Sequence, residues 1–256
     1  MHDEIPVEVT QDNSTTLITI NRPTARNALD AHAVTLLKEA FRHFDADDSS
    51  KVAILHGRGG AFCAGADLKQ VAKGANYEPW AGSLEGMLGA PLSKPIIAAV
   101  EGHAVAGGLG VALYCDIRVA DETAVFGVFC RRFGVPMSDG TTVRLPRLIG
   151  EARAMTMMLT GRAVKAREAL DFGLVSEVVA TGQALPRAKE IAATLAKFPQ
   201  LAMLSDRRSL LESRGLSLEA ALLQENELAQ SAKAQSAASG AARFAAGEGR
   251  HGAKTP

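Results

Sequence analysis

The chain has 256 residues, of which 47% are hydrophobic, so it is long enough for one large domain with a sizeable core. Lys plus Arg and Asp plus Glu number 28 each, which leaves no overall field to attract nucleic acid or an anionic membrane. The acidic start, MHDEIPVEVT, does not resemble a signal peptide, and no run reaches transmembrane length. With only three widely spaced cysteines, we expect a cytoplasmic protein with reduced thiols and no membrane or nucleic-acid partner.

The first third of the chain alternates strand and helix patterns. Residues 7–20 predict two short strands around a polar turn at 11–14. Asp30 is a suitable N-cap for a helix, since apolar residues follow on one helical face at Val34, Leu37, Phe41 and Phe44. Residues 51–57 then predict another strand.

Two glycine-bearing turns each follow an apolar strand. AFCAGADL, at residues 61–68, follows the strand predicted at 52–55. The second turn ends in Gly107-Gly108, between a buried strand at 95–100 and an uncharged helix at 109–115. One such turn is equally compatible with a tight connection that binds nothing. Two turns that each offer one N–H to the same oxygen favour an oxyanion hole.

The rest of the chain begins as mixed α/β and ends as helix alone. Residues 71–90 hold four glycines and a proline, which predicts a mobile loop or short helix over a ligand. We then expect strands at 116–120, 124–127 and 176–180 and helices at 141–149, 152–159 and 165–172, the last one ending at Gly173. Further helices are predicted at 184–198, 200–213 and 217–234, with a fraying tail from Ser231. This order predicts an α/β core over residues 1–183 and a helical region over 184–256.

Several motifs resemble the enoyl-CoA hydratase/isomerase (crotonase) superfamily. AFCAGADL, KPIIAAVEGHAVAGG, CDIRVA and RLPRLIG occur in that family's order and spacing, and INRPTARNAL and LTGRAVKAREALDFGLVSEVV extend the resemblance. It covers about residues 17–179 and is specific to the superfamily rather than to one of its reactions. The resemblance implies a spiral of ββα repeats with a helical C-terminal region that packs trimers.

The resemblance also implies a coenzyme A thioester as substrate, with no separate cofactor. We expect no metal site, because the sequence has no acidic or His/Cys cluster. In family members the thioester carbonyl accepts two backbone N–H groups, which match Ala66 and Gly107 here. The adenine is held by backbone carbonyls, for which the matching positions are Ala28, Ala64 and Leu68. Arg26 is a candidate contact for the phosphates and is equally suited to be a solvated surface charge.

The chain departs from the family at the positions that carry the acid and the base. Hydratases of the superfamily use two glutamates around one water, and the matching residues here are Gly110 and Cys130. Neither residue can relay a proton as a glutamate pair does. The sequence therefore argues against ordinary hydration.

Two side chains are candidate replacements. Asp139 precedes the predicted helix that starts at Thr141, where some superfamily members carry a catalytic aspartate; an N-cap role is equally expected. Cys130 is followed by Arg131 and Arg132, which would lower the pKa of its thiol, although a small buried thiol is its commoner role.

Two functions remain open at this stage. One is an acyl-CoA lyase or isomerase that stabilises a thioester enolate, with Asp139 as a participant; the other is an acyl-CoA-binding paralogue with little or no catalysis. The missing glutamates favour the second, whereas a pocket-facing Asp139 with a raised pKa would favour the first. A nucleotide-binding module is disfavoured because no phosphate-binding motif is present. We expect a homotrimer or hexamer, with contacts from Leu201, Leu204, Leu211, Leu222 and Leu223.

Overall fold

The structure is a computed structural model that describes residues 5–74 and 80–247. The strands in these residues are β1 (Val7–Asp12), β2 (Thr15–Ile20), β3 (Val52–Gly57), β4 (Ile96–Val100), β5 (His103–Val105), β6 (Ile117–Asp121), β7 (Val125–Gly127), β8 (Val164–Lys165) and β9 (Glu177–Val179). The helices are α1 (Ala31–Ala46), α2 (Leu68–Ala72), α3 (Gly107–Tyr114), α4 (Thr141–Ile149), α5 (Glu151–Thr160), α6 (Ala166–Asp171), α7 (Ala184–Lys197), α8 (Gln200–Glu212) and α9 (Leu218–Ala245).

The strands form two sheets, and from β4 onward the chain passes back and forth between them. The larger has the order β1-β2-β3-β4-β6-β9, and the smaller has the order β5-β7-β8. Consecutive strands such as β4 and β5, or β6 and β7, enter different sheets before the chain returns through a helix. This is the ββα spiral that the resemblance implies. Strand β4 pairs with a parallel neighbour on each edge, and all of its residues are buried. Burial on both faces explains its uninterrupted apolar sequence.

Most predicted elements are confirmed within one to three residues. Asp30 is the N-cap of α1, and its side chain accepts the N–H of Ala33 at 2.8 Å. The predicted apolar face of α1 packs into the core through Leu37, Phe41 and Phe44. Strands β5 and β8 were not predicted, because three and two residues are too short to show a periodic pattern.

The chain folds as two compact units, residues 1–193 and residues 194–256. In the second unit α8 packs against α9, and Gln224 Nε2 donates to Glu212 Oε2 at 2.8 Å. The expected fraying from Ser231 is wrong, since α9 continues to Ala245, because its last turns are rich in alanine, the strongest helix former. None of the described helices is both long and apolar enough to cross a membrane.

The two glycine-bearing turns lie side by side and are joined by backbone hydrogen bonds. The N–H of Cys63 donates to the carbonyl of His103 at 2.8 Å, and the N–H of Val105 donates to the carbonyl of Cys63 at 3.1 Å. The first turn therefore extends the edge of β5 and fixes the start of α3 beside it.

This contact requires glycine at two positions. A Cβ added at Gly108 would lie 2.0 Å from the carbonyl oxygen of Cys63. A Cβ added at Gly65 would lie 2.7 Å from the backbone nitrogen of Gly107, and Gly65 also has a φ of 90°. The turns can approach this closely only because neither glycine has a side chain.

We predict that Gly108→Ala destabilises the protein by about 1–3 kcal/mol or more, because its Cβ overlaps a backbone carbonyl that cannot rotate away. Gly240→Ala in α9 is the control, since no described atom outside its own stretch of helix lies within 4 Å of its added Cβ. This control should leave stability unchanged or raise it by up to about 1 kcal/mol. Thermal unfolding of both variants measures the difference, and equal melting temperatures would contradict the close approach.

Candidate active site

A cavity of about 90 Å³ lies where the two turns meet the segment that precedes α4. The first turn contributes Ala64, Ala66 and Leu68, and the second contributes Ala106 and Gly107. The remaining lining residues are Phe129, Cys130, Phe133, Val135, Pro136, Met137, Ser138 and Asp139. The structure thus brings together five of the seven predicted site residues; Arg26 and Ala28 do not line the cavity.

Two unpaired backbone donors belong to residues that line this cavity. Among the described residues, no protein acceptor is found for the N–H of Ala66 or of Gly107. The neighbours of Ala66 are paired: Leu29 donates to the carbonyl of Gly65, and Asp67 donates to the carbonyl of Leu29. Gly107 is the first residue of α3, where an N–H has no intrahelical partner.

Ala106 holds a backbone conformation that residues with a Cβ rarely adopt. Its φ is 51° and its ψ is −129°, and its N–H donates to the carbonyl of Gly127 at 2.8 Å. Such strain costs about 1–3 kcal/mol and persists only where the surroundings enforce it. Because the ψ angle of Ala106 orients the next peptide unit, this conformation fixes the direction of the Gly107 N–H.

Asp139 is the acidic residue in the lining. Its side chain is only 2% exposed, and its Oδ1 accepts the N–H of Thr141 at 2.9 Å. Burial raises the pKa of this carboxyl above its ordinary value, and the bonds from Thr141 oppose that rise. The N-cap of α4 is Gly140, so Asp139 supports the start of the helix from one residue earlier than an N-cap does.

The carboxyl group of Asp139 occupies the space beside Gly110. A Cβ added at Gly110 would lie 2.5 Å from Cγ and 2.6 Å from Oδ2 of Asp139. Any side chain at position 110 would therefore displace the carboxyl. The absence of a side chain at Gly110 therefore leaves the space that the buried carboxyl of Asp139 occupies.

Arg144 holds the loop that carries Asp139. Its Nη1 donates to the carbonyl of Asp139 at 3.2 Å, and its Nη2 donates to the carbonyls of Leu88 and Gly89. The guanidinium thus joins this loop to the segment before β4. Sequence reasoning missed Arg144, because all three acceptors are backbone atoms.

Trp80 is a second residue that sequence reasoning missed. Its indole is 2% exposed and packs on Gly107, where an added Cβ would lie 2.5 Å from the ring. The N–H of the next residue, Ala81, donates to the carbonyl of Ser138 at 3.0 Å. Residues 80 and 81 therefore bridge the second turn and the Asp139 loop. The only available signal was that this is the one tryptophan of the chain.

The segment predicted as a mobile loop or short helix, residues 71–90, is described in part. Its first two residues end α2, and the prediction for 75–79 lies outside the described residues. From residue 80 to 90 the chain forms turns rather than a helix, and Trp80, Met87 and Leu88 are buried.

Cys130 lines the cavity as a buried thiol, 3.1 Å from the sulfur of Met137. Burial raises its pKa, and the charge of Asp139 raises it further, which outweighs the opposite effect of Arg131. The small buried thiol expected as the commoner role of Cys130 is therefore confirmed. The alternative, a pKa lowered by the adjacent arginines, is wrong because desolvation is the larger effect.

The predicted coenzyme A residues lie on the loop between β2 and α1 and on the first turn. The carbonyl of Arg26 accepts the N–H of Ala64 at 3.0 Å, and the Arg26 side chain is exposed. Arg26 and Asn27 both have left-handed φ angles, of 52° and 57°. Asn27 is fully buried and holds this shape, because its Nδ2 donates to the carbonyls of Arg58 and Ala61.

Arg22 joins this loop to the first turn, which the sequence did not indicate. Its Nη1 donates to the carbonyl of Ala28, and its Nη2 lies 2.9 Å from Asp30 and 3.0 Å from Asp67. The carbonyl of Ala28, a predicted adenine acceptor, thus already accepts one hydrogen bond. Its second lone pair remains for a ligand.

The arrangement combines two backbone donors with one buried acid around a mostly apolar cavity. Donors of this kind stabilise negative charge on an oxygen in the transition state, and one aimed donor contributes about 3 kcal/mol. An acid in the same cavity can accept or return a proton if it lies within reach of the reacting atom. The site is therefore suited to reactions through an enolate or a related oxyanion.

Comparison with known proteins agrees with this geometry. A family model described as enoyl-CoA hydratase/isomerase matches residues 10–249. The enoyl-CoA hydratase EchA19 of Mycobacterium tuberculosis is 39% identical over 208 residues, which cover 78% of this chain and 77% of that protein. The 2,3-dehydroadipyl-CoA hydratase of Escherichia coli is 35% identical over 223 residues, which cover 86% and 87%.

A solved structure extends the likeness to the whole fold. The crystal structure of enoyl-CoA hydratase EchA1 from Mycobacterium marinum has a TM-score of 0.88 and is 38% identical, and the match covers 94% of this chain and 96% of that one. The fold is thus the crotonase fold, and the chain belongs to the enoyl-CoA hydratase/isomerase family.

Proposed function

We propose that the protein is an acyl-CoA lyase or isomerase in which Asp139 moves the proton. The N–H groups of Ala66 and Gly107 bind the thioester carbonyl oxygen and stabilise the enolate that forms from it. The carbonyls of Ala28, Ala64 and Leu68 accept from the adenine, and Arg26 pairs with the phosphates.

One observation carries this proposal: the Asp139 carboxyl fills the space that a side chain at Gly110 would enter. The family resemblance assigns the first glutamate to position 110. The Asp139 carboxyl therefore lies close to where the Cβ of that glutamate would be, although Asp139 belongs to a different loop. This supports an enzyme over an acyl-CoA-binding protein without catalysis, since a buried acid with a raised pKa is costly to keep in an apolar cavity.

A single carboxyl favours isomerisation over hydration. Hydration across a double bond uses one group to activate water and another to protonate carbon. In an isomerisation one base takes a proton from carbon, the carbonyl oxygen carries the enolate charge, and the same group returns the proton to another carbon. With Cys130, a protonated thiol of raised pKa, in the second glutamate position, the described lining of the cavity offers one carboxyl for this work.

We predict that Asp139→Asn lowers kcat/KM by about 10²–10⁴-fold on the ester that a panel of CoA thioesters identifies by liquid chromatography, which separates isomers of equal mass, coupled to mass spectrometry. The amide keeps an oxygen that accepts the Thr141 N–H, so the fold is retained. The melting temperature at pH 7 should be equal or higher, because the variant removes a buried charge. An Asn variant with wild-type turnover would leave Asp139 a structural role only.

The pH dependence follows from the raised pKa of Asp139. The folded state binds the proton more tightly than the unfolded state. The wild type therefore loses folding stability as pH rises through the pKa that Asp139 has in the folded state. The higher melting temperature expected for Asp139→Asn should disappear below the ordinary pKa of 3.8, where the carboxyl is protonated in both states. As a base the residue must be ionised, so wild-type kcat/KM should fall as pH drops through the same pKa.

We predict that Gly110→Glu alone lowers both activity and melting temperature, because its Cβ collides with Asp139. The double variant G110E/D139G removes that obstacle; glycine is needed at 139 because even the Cβ of Asp139 lies 2.8 Å from the added Cβ. Activity of the double variant should exceed that of D139G alone, since the cavity regains one carboxyl. Equal activities of G110E/D139G and D139G would show that the carboxyl cannot be moved between the two positions.

We further propose that the chain assembles as a trimer or a dimer of trimers. The helices of the second unit leave apolar side chains exposed, among them Leu201, Leu222 and Leu223 from the predicted set, while Leu204 and Leu211 are half-buried. We expect light scattering at micromolar concentration to give a mass of three or six chains. A monomer at that concentration would exclude this assembly.

A further inference from the structure

The described lining of the cavity holds one acid and no cationic side chain that could balance a second acid. Among the described lining residues, the polar side chains besides Asp139 are the Ser138 hydroxyl and the Cys130 thiol. No Lys, Arg or His is found among the described residues of the lining.

The arginines nearest to the lining are engaged elsewhere. Arg144 donates to the carbonyls of Leu88, Gly89 and Asp139. Arg132 donates to the carbonyl of Gly161 at 2.9 Å, and its guanidinium lies 4.1 Å from the centre of the Phe129 ring. Arg131, next to Cys130, donates from Nε to the carbonyl of Met158 at 3.3 Å. A ligand carboxylate would have to break these bonds to recruit any of the three guanidinium groups.

The lining next to Asp139 is apolar, and part of it can change its side-chain conformation. Phe129, Val135 and Met137 provide aromatic, branched and thioether surface, and Phe133 is 69% exposed. Such surface favours a hydrocarbon group, and the thioether of Met137 adapts to different shapes. It offers nothing that would compensate the desolvation of a charged group.

From this we propose that the site selects acyl groups that end in hydrocarbon and rejects acyl groups that end in a carboxylate. This inference rests on the proposed binding of a CoA thioester. A carboxylate on the acyl chain would be buried without a cation and would face the like charge of Asp139 in a medium of low dielectric. Asp139 thus acts on selectivity as well as on the proton transfer.

Binding of two isosteric thioesters tests this inference without any turnover. In 4-methylpentanoyl-CoA an isopropyl group takes the place of the terminal carboxylate of succinyl-CoA, so shape and length are matched. Calorimetry at pH 7.5 on the wild-type protein, with coenzyme A as a third ligand, measures the difference. We expect 4-methylpentanoyl-CoA to bind at least tenfold more tightly than succinyl-CoA.

Two variants separate the role of Asp139 from general effects of charge. Asp139→Asn removes the repelling charge and should reduce the ratio of the two affinities several-fold. Asp48→Asn is the matched control, because Asp48 is exposed and precedes β3, whereas the cavity lies beyond the other end of that strand. The control should leave the ratio unchanged.

The outcomes distinguish this inference from the function on which it rests. Equal affinities of the two esters, or tighter binding of succinyl-CoA, would overturn the selectivity while the proposed function stands. An unchanged ratio in Asp139→Asn would overturn the part assigned to Asp139. Failure of both esters and of coenzyme A to bind would overturn the proposed function, and the selectivity with it.

Discussion

The site depends on two backbone turns that touch each other. The hydrogen bonds between Cys63 and the strand β5 hold these turns at a separation that leaves no room for a Cβ at Gly108 or Gly65. This contact sets the start of α3 beside the first turn and keeps the strained angles of Ala106 in place. The two unpaired N–H groups then belong to neighbouring walls of one cavity, and no side chain is needed to aim them.

The second constraint is an exchange of volume between Gly110 and Asp139. A residue with a side chain at 110 and the present rotamer of Asp139 cannot coexist. The absence of a side chain at 110 and the position of the buried acid at 139 are therefore structurally coupled. For this reason neither position can be interpreted alone: Gly110 in isolation suggests a lost carboxylate, whereas the proposed function treats the pair as a carboxylate supplied from another loop.

Patterns among neighbouring residues predicted the parts of the site that are formed by one continuous segment of the chain. The strand β4, the glycine pair and the helix α3 follow from hydrophobic runs and glycine placement, and the family motifs placed Ala66 and Gly107. Residues that act across long sequence distances gave no such signal. Arg22 reaches Asp67, Arg144 reaches Gly89, and Trp80 packs on Gly107, and none of these contacts has a local sequence pattern. For Cys130, the buried thiol expected as its commoner role is confirmed, whereas the lowered pKa suggested by the adjacent arginines is not, because desolvation is the larger effect.

Low polarity around Asp139 has two consequences that cannot be separated. It disfavours the ionised carboxyl, which brings its pKa closer to the range where a group can both accept and return a proton. It also strengthens the repulsion between that carboxyl, once ionised, and any other anion in the cavity. A cation placed near Asp139 would admit a charged acyl group, but it would also lower the pKa of the acid. In this chain the guanidinium of Arg144 donates to backbone carbonyls, and its charge lowers the pKa of Asp139 less than burial raises it. The cavity therefore keeps a weakly acidic carboxyl and a hydrocarbon wall together.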